Sequence, residues 1–303
     1  MISVDSFLIG DNPFIGVSHL SQFAARERVE RLQLNKIIKV IEKAISSGAS
    51  GYTFSTHPMN LQILKAMKDT STIDGGFDLY PVLPYAEGYV RMATEKGAIG
   101  LLREVWGRLS ISGKTKLLID GGLSAARFDA VRLLKAYVDM ELTSYLNVKP
   151  KECTVRTVFM HDILTDLALS FEGHQLFDSF MQHVHEKYQA KPGFVTRNFA
   201  RFVGFFQAHR LPLERIAIMT PFNKIGFQMN PSKNACESCL SELSGGQVIA
   251  ISILAGGYLT LDEAVDYIRG LRKVSGVAVG VSSEGHAEET FKKLMASLAD
   301  QIP

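Results

Sequence analysis

Eight apolar runs, separated by stretches whose apolar residues recur at helical spacing, govern what this chain can fold into. The runs are Phe7–Asn12, Gly51–Thr56, Asp78–Pro84, Val155–His161, Gly193–Asn198, Arg215–Thr220, Ile249–Gly257 and Val277–Ser283. A strand buried on both faces reads as a near-continuous apolar run, and strands that alternate with amphipathic helices call for parallel pairing through helical crossovers. After the first run a helix starts near Leu34 and turns Ile37, Ile38, Ile41, Ala44 and Ile45 inward, and Asn60 to Met67 begins the next. Toward the C-terminus, Thr260-Leu-Asp-Glu263 is a capping box ahead of Val265, Ile268 and Leu271, and Ser283 precedes a helix carrying Ala287, Phe291, Leu294, Met295 and Leu298. Eight such units predict an α/β fold, a single (β/α)8 or TIM barrel over residues 1–303.

One segment disturbs that count. Lys116–Asp120 is short and apolar enough for a ninth strand, but it lies between two helical patterns, Tyr89 to Trp106 and Ala125 to Tyr145. Counting eight strands elsewhere assigns residues 86–150 to a helical insertion after the third strand, covering the mouth of the barrel.

Composition removes several classes of function. With 33 basic and 31 acidic residues the net charge is only +2, and aromatic residues do not interleave with Lys/Arg runs, so no nucleic-acid partner is expected. No apolar run approaches the ~18 residues of a membrane span, and Met1-Ile-Ser-Val-Asp5 lacks the basic and apolar regions of a signal peptide. Three cysteines make no disulfide framework. These features lead to the expectation of a soluble, cytoplasmic protein without a membrane partner.

The ends of the last two runs point to a ligand class. Gly256-Gly257 and Gly280-Val-Ser282-Ser283 each feed a helix, in loops that commonly hold a phosphate in barrels of this kind. Glycine lets backbone amides approach an anion, and a helix N-terminus offers unpaired N–H groups and positive potential. The expected partner is a small phosphate-bearing molecule.

With these residues in hand, the chain resembles the aldo-keto reductase superfamily, most closely from about residue 155 onward. Val158-Phe-Met-His161 is similar to the fourth strand that ends in the family's active-site histidine. Phe194-Val-Thr-Arg-Asn198 is similar to the fifth-strand motif that holds the nicotinamide carboxamide, with Arg197 in place of its serine. Leu254-Ala-Gly-Gly257 and Gly280–Glu289 are similar to the cofactor segments after the seventh and eighth strands. The resemblance implies NAD(P) held by Asn198, Gly256, Gly257, Gly280, Ser282 and Ser283. It also implies a tyrosine acid tuned by a lysine and an aspartate. Here Ser55 stands at the aspartate, Asn60 at the tyrosine's spacing, and the third strand ends in Pro84-Tyr85 without the lysine. Only His161 is retained. Ile251 replaces the aromatic residue that stacks on the nicotinamide, and Ser282 the arginine that reads a 2′-phosphate.

Residues at the C-terminal ends of barrel strands face the site. His161, Tyr85, Asp11 and Asn12 are the candidate catalytic residues: an imidazole titrates near neutrality, a phenol from another strand can replace the missing acid, and Asp-Asn closes the first strand. Lys224 offers an amine for a Schiff base. His57, His161, Asp11 and Asp162 could converge on a metal, though nothing in their spacing requires one. Cys236-Glu-Ser-Cys239 shares a helix face with Ala235, Leu240 and Leu243, which marks it as core packing, and His183 and His185 read as solvated. Three functions remain open: an NAD(P)-dependent oxidoreductase of a small carbonyl compound with a rearranged proton donor, a non-redox lyase, isomerase or hydrolase of a phosphorylated molecule, and a silent metabolite-binding barrel.

Overall fold

Every apolar run becomes a strand. In the computed structural model, which describes residues 6–16, 34–70, 76–84 and 130–302, these are β1 (Phe7–Gly10), β2 (Gly51–Ser55), β3 (Asp78–Leu83) and β4 (Thr157–Met160), then β5 (Lys191–Val195), β6 (Ala217–Pro221), β7 (Gln247–Ile251) and β8 (Val274–Gly280). Neighbours in sequence are neighbours in the sheet, and β8 pairs in parallel with β1 from Phe7–Val277 to Gly10–Gly280, closing the barrel.

Both strand faces are buried, which is why the runs are continuous rather than alternating. Leu8, Tyr80, Phe159, Val195, Ala217, Met219, Ile249 and Ala278 fill the interior. Ile9, Phe54, Phe194, Ile218, Val248 and Val277 join the layer packed against the helices. The interior alternates bulky and small positions: a Cβ on Gly193 would come within 2.5 Å of the Phe159 ring. Two large rings can enter the same tube only because glycine leaves them room.

A short turn of helix, α1 (Asn12–Ile15), follows β1, and α2 (Leu34–Ser46) and α3 (Pro58–Asp69) flank β2. α2 buries Ile37, Ile38, Ile41 and Ala44 as its spacing requires, together with Val40, and leaves Ile45 half-buried. Of the span expected as an insertion, α4 (Ala130–Val148) is described, and it packs against β3 and α3. Residues 85–129, with Lys116–Asp120 and Tyr85 among them, lie outside the described residues.

Two helices follow β4: α5 (Asp162–Ser170) and α6 (His174–Tyr188). α6 occupies the wall against β5 and α4, while α5 rests on the β5 strand and α6. Asp139 of α4 clamps this side: it accepts from Tyr188 Oη at 2.5 Å, lies 2.7 Å from His183 Nε2 and pairs with Lys187. His183 is therefore a partly buried structural histidine and not a solvated one. α7 (Phe199–Ala208) places Phe202 and Phe206 against Phe194 and Phe177 in an aromatic cluster behind β5. α8 (Lys233–Glu242) buries Cys236, and burial pushes the Cys236 and Cys239 thiols up, Cys239 to about 11. Protonated thiols in a core suit packing. α9 (Leu261–Arg269) opens on the expected capping box, with Glu263 N–H donating to Thr260 Oγ1 at 3.3 Å and Thr260 N–H to Glu263 Oε2 at 3.1 Å. α10 (Glu284–Leu298) closes the ring against α2. No helix among the described residues is long and apolar enough to cross a membrane.

Candidate functional site

The apolar run of β4 stops at His161, whose extended backbone (φ −62°, ψ 149°) makes it the N-cap of α5. Its Nδ1 has two neighbours. Ile163 N–H lies at 3.3 Å, and Asp162 Oδ1 at 2.7 Å. The Ile163 amide is better served by the same carboxylate at 2.9 Å. The shorter contact therefore assigns a proton to Nδ1, donated to Asp162, which leaves Nε2 as the atom of the ring that a ligand meets. The other carboxylate oxygen, Asp162 Oδ2, accepts from Arg197 Nε at 2.6 Å. Burial pushes the Asp162 carboxyl up, but the hydrogen bond and charge of His161 and the Arg197 guanidinium outweigh it and hold the group at about 2. Arg197–Asp162–His161 thus forms a relay of charge-assisted contacts at the barrel mouth, and the imidazole side chain stays 21% accessible.

One helical turn further along α5, Asp166 faces the same way, as positions i and i+4 must. It accepts from Thr196 Oγ1 at 2.6 Å and Asn198 Nδ2 at 2.9 Å, with Arg197 N–H at a longer 3.4 Å. Burial raises its carboxyl above the usual range despite these bonds. Asp162 and Asp166 therefore grip the three residues that follow β5. Asn198, the residue expected to hold a carboxamide, has one of its amide N–H groups bound to the protein itself. The sequence signal for this grip is the Asp162-x-x-x-Asp166 spacing, which the reading of strand ends alone passes over.

A second polar network closes the opposite side. Asp11, at the end of β1, accepts at Oδ2 from Ser55 N–H, Ser55 Oγ and Asn60 Nδ2, each at 2.8 Å. Asn60 Oδ1 in turn accepts from Tyr52 Oη at 2.6 Å. Burial raises the Asp11 carboxyl against the pull of these bonds, and it pushes the Tyr52 phenol well up as well. Ser55 and Asn60, which stand where the resemblance places an aspartate and a tyrosine, are thus the donors that fix Asp11. Asn12 takes no part in the network and is exposed at the start of α1.

The ends of β7 and β8 lie side by side because their strands pair. After β7, Ser252 (φ 53°), Ala255 (φ 47°), Gly256 (φ 74°) and Gly257 (φ 103°) all adopt the left-handed region, which curls the backbone into a tight turn. A side chain at Gly257 would meet nothing within 4 Å, while its N–H already donates to Leu254 O at 2.8 Å. After β8, Gly280 has a packing role: a Cβ there would strike the Pro13 ring at 2.8 Å. Ser282 is half-buried, and Ser283 caps α10, its Oγ accepting from His286 N–H at 3.2 Å. Gly285, in the first turn of α10, also borders open space.

Other sequence candidates have structural work. Lys224 Nζ pairs with Glu263 Oε1 at 3.0 Å, tying the loop after β6 to the start of α9. His57 caps α3, its Nδ1 accepting from Met59 N–H at 3.1 Å. Among the described residues no three His, Cys, Asp or Glu side chains are grouped to hold a metal ion.

No family model matches the chain, and no curated protein matches it. Solved structures do. A candidate aldo-keto reductase from Pseudomonas aeruginosa superposes with a TM-score of 0.60 at 10% identity, over 97% of this chain and 92% of that one. A second structure, likewise described as a candidate aldo-keto reductase from Pseudomonas aeruginosa, superposes with a TM-score of 0.59 at 11% identity, over 98% of this chain and 91% of that one. At such identities the likeness is one of fold alone, a closed eight-stranded parallel α/β barrel.

Proposed function

We propose that the mouth of this barrel transfers protons on a small phosphate-bearing carbonyl compound, with His161 as the acid/base group. The observation that carries the reading is the 2.7 Å contact between His161 Nδ1 and Asp162 Oδ1. A ring whose one nitrogen donates to an ionised carboxylate presents the other as a base, and the carboxylate then stabilises the imidazolium that forms. Arg197 keeps Asp162 ionised and in place. Nε2 removes the proton from the hydroxyl-bearing carbon next to the carbonyl and returns it to the former carbonyl carbon, while the hydroxyl proton passes to the carbonyl oxygen through the enediol, so the substrate is isomerised without net oxidation or reduction. The phosphate lies toward the ends of β7 and β8, where Gly257 and Gly285 leave open space beside the N-terminus of α10.

NAD(P) is the group that the resemblance brings with it. Its phosphate side has room here, but its nicotinamide side is not matched: Asn198 Nδ2 bonds Asp166, Ser55 and Asn60 bond Asp11, and Ile251 supplies no ring. No hydride step follows from these residues.

The test needs no prior substrate. In D2O, wild-type protein is incubated with triose, tetrose and pentose phosphates, and proton NMR follows exchange of the C–H groups beside each carbonyl. Exchange by the wild type that His161→Gln abolishes is the expected result. NADPH oxidation with these compounds, without exchange, would replace this reading by a reductase.

A further inference from the structure

At the end of the barrel away from the mouth, the first residues of the strands form a floor. Thr157 opens β4 and Lys191 opens β5, and the two are register partners. Both point inward. A Cβ on Gly193, two residues from Lys191, would meet Thr157 Cγ2 at 2.8 Å as well as the interior Phe159 ring. The lysine side chain crosses below β6 to Gln247 at the start of β7, with Nζ 2.5 Å from Oε1. Lys191 is 3% exposed and Thr157 fully buried.

Two polar groups here are incompletely satisfied. Thr157 Oγ1 is buried without a hydrogen-bond partner. Lys191 has three N–H donors and a charge, and its partner among the described residues is one neutral amide oxygen. Among the described residues the buried carboxylate at this end of the barrel, Asp78, is held by Arg156 instead, and Glu152 and Glu214 are exposed. A buried ammonium without a counter-charge is among the costliest arrangements in a protein interior, and an orphaned hydroxyl on the register partner adds to the cost. Both deficits vanish if one negative ligand sits between the two groups.

We propose that Lys191 Nζ and Thr157 Oγ1 hold a small inorganic monoanion of chloride size in the floor of the barrel. The single positive charge sets the ligand's charge. Its size follows from the walls, since Phe159 packs directly over Gly193, and a polyatomic oxyanion would need more donors than an ammonium and a hydroxyl supply. Burial lowers the Lys191 amine to about 8, so the bound anion also keeps the lysine charged through the alkaline range where it would otherwise lose its proton. The site stands apart from the reaction proposed at the mouth and acts as a stabilising plug of the fold.

Thermal melting in sodium chloride and in sodium gluconate at matched ionic strength tests it. Because the anion binds the folded state, Tm rises by a few degrees in chloride and grows with the logarithm of its concentration. Lys191→Met abolishes that dependence, and Thr157→Val, which keeps shape and removes the hydroxyl, weakens it. A crystal grown in sodium bromide provides a measurement free of variants: an anomalous peak is expected between Lys191 Nζ and Thr157 Oγ1. Equal melting in the two salts, a chloride effect that persists in Lys191→Met, or water in place of bromide each overturns the proposal.

Discussion

The chemistry at the mouth rests on a few atoms whose roles separate by substitution. His161→Gln retains a side-chain N–H that can donate to Asp162 but has no titrating nitrogen, so turnover with the substrate found by exchange should fall by about 10²-fold or more while the melting curve barely moves. A packing histidine would do the reverse. Asp162 makes a prediction in pH. Its carboxyl sits at about 2 in the fold, against ~3.9 in an unfolded chain. A depressed carboxyl contributes stability that is complete above pH ~4 and is lost as pH falls toward 2, on the order of 2 kcal/mol here. Urea titrations across that window should show this acid limb in the wild type and its loss in Asp162→Asn, and an unchanged limb would mean that the pair is not formed. At this scale the sequence reads unevenly. His161 announces itself because an apolar run stops there, and Asp162 is its neighbour in the chain. The Asp11 bonds join residues 44 and 49 positions apart, so only closure of β1 onto β2 reveals them, and with them the true work of Ser55 and Asn60.

Among the elements, α5 is the one that aims the site. Its first turn carries Asp162, and Asp166 fastens its second to Thr196 and Asn198. Asp166→Ala should leave a hydroxyl and an amide without their partner, costing about 1–3 kcal/mol by urea denaturation. If α5 positions the imidazole, the same variant should also lower kcat more than it raises KM, although Asp166 touches no substrate. A variant that loses stability with kcat intact would confine Asp166 to the fold. The strands are legible in the sequence because burial on both faces leaves an unbroken apolar signature in each. The packing of α4 is not. Its apolar residues follow helical spacing, which the sequence alone places within a helical span of residues 86–150. Helical periodicity identifies a helix and one buried face. It does not say which neighbours cover that face, and here β3 and α3 do.

Taken whole, the molecule is a tube whose interior must be filled by side chains drawn from eight strands, and that requirement has consequences no single strand shows. Gly193 reads in sequence as the first residue of the fifth apolar run. In the closed barrel it is the space that the Phe159 ring occupies, with Thr157 beside it. Gly193→Ala needs no unusual backbone angle, so its effect isolates packing. The added methyl lies 2.5 Å from the ring, and a ring locked among Tyr80 and its other interior neighbours cannot yield without moving them. Overpacking of this kind costs about 1–3 kcal/mol. The decisive variant is the pair. Phe159→Leu alone opens a cavity and destabilises, yet combined with Gly193→Ala it removes the clash while the methyl fills part of the void. The double variant should therefore be more stable than the sum of the single losses predicts, by ~1 kcal/mol or more, since residues in contact couple on that scale. Urea midpoints of the wild type and the three variants measure the coupling. Strictly additive losses would show that the two positions do not share one space, and the account of how β4 and β5 divide the interior would fail with them.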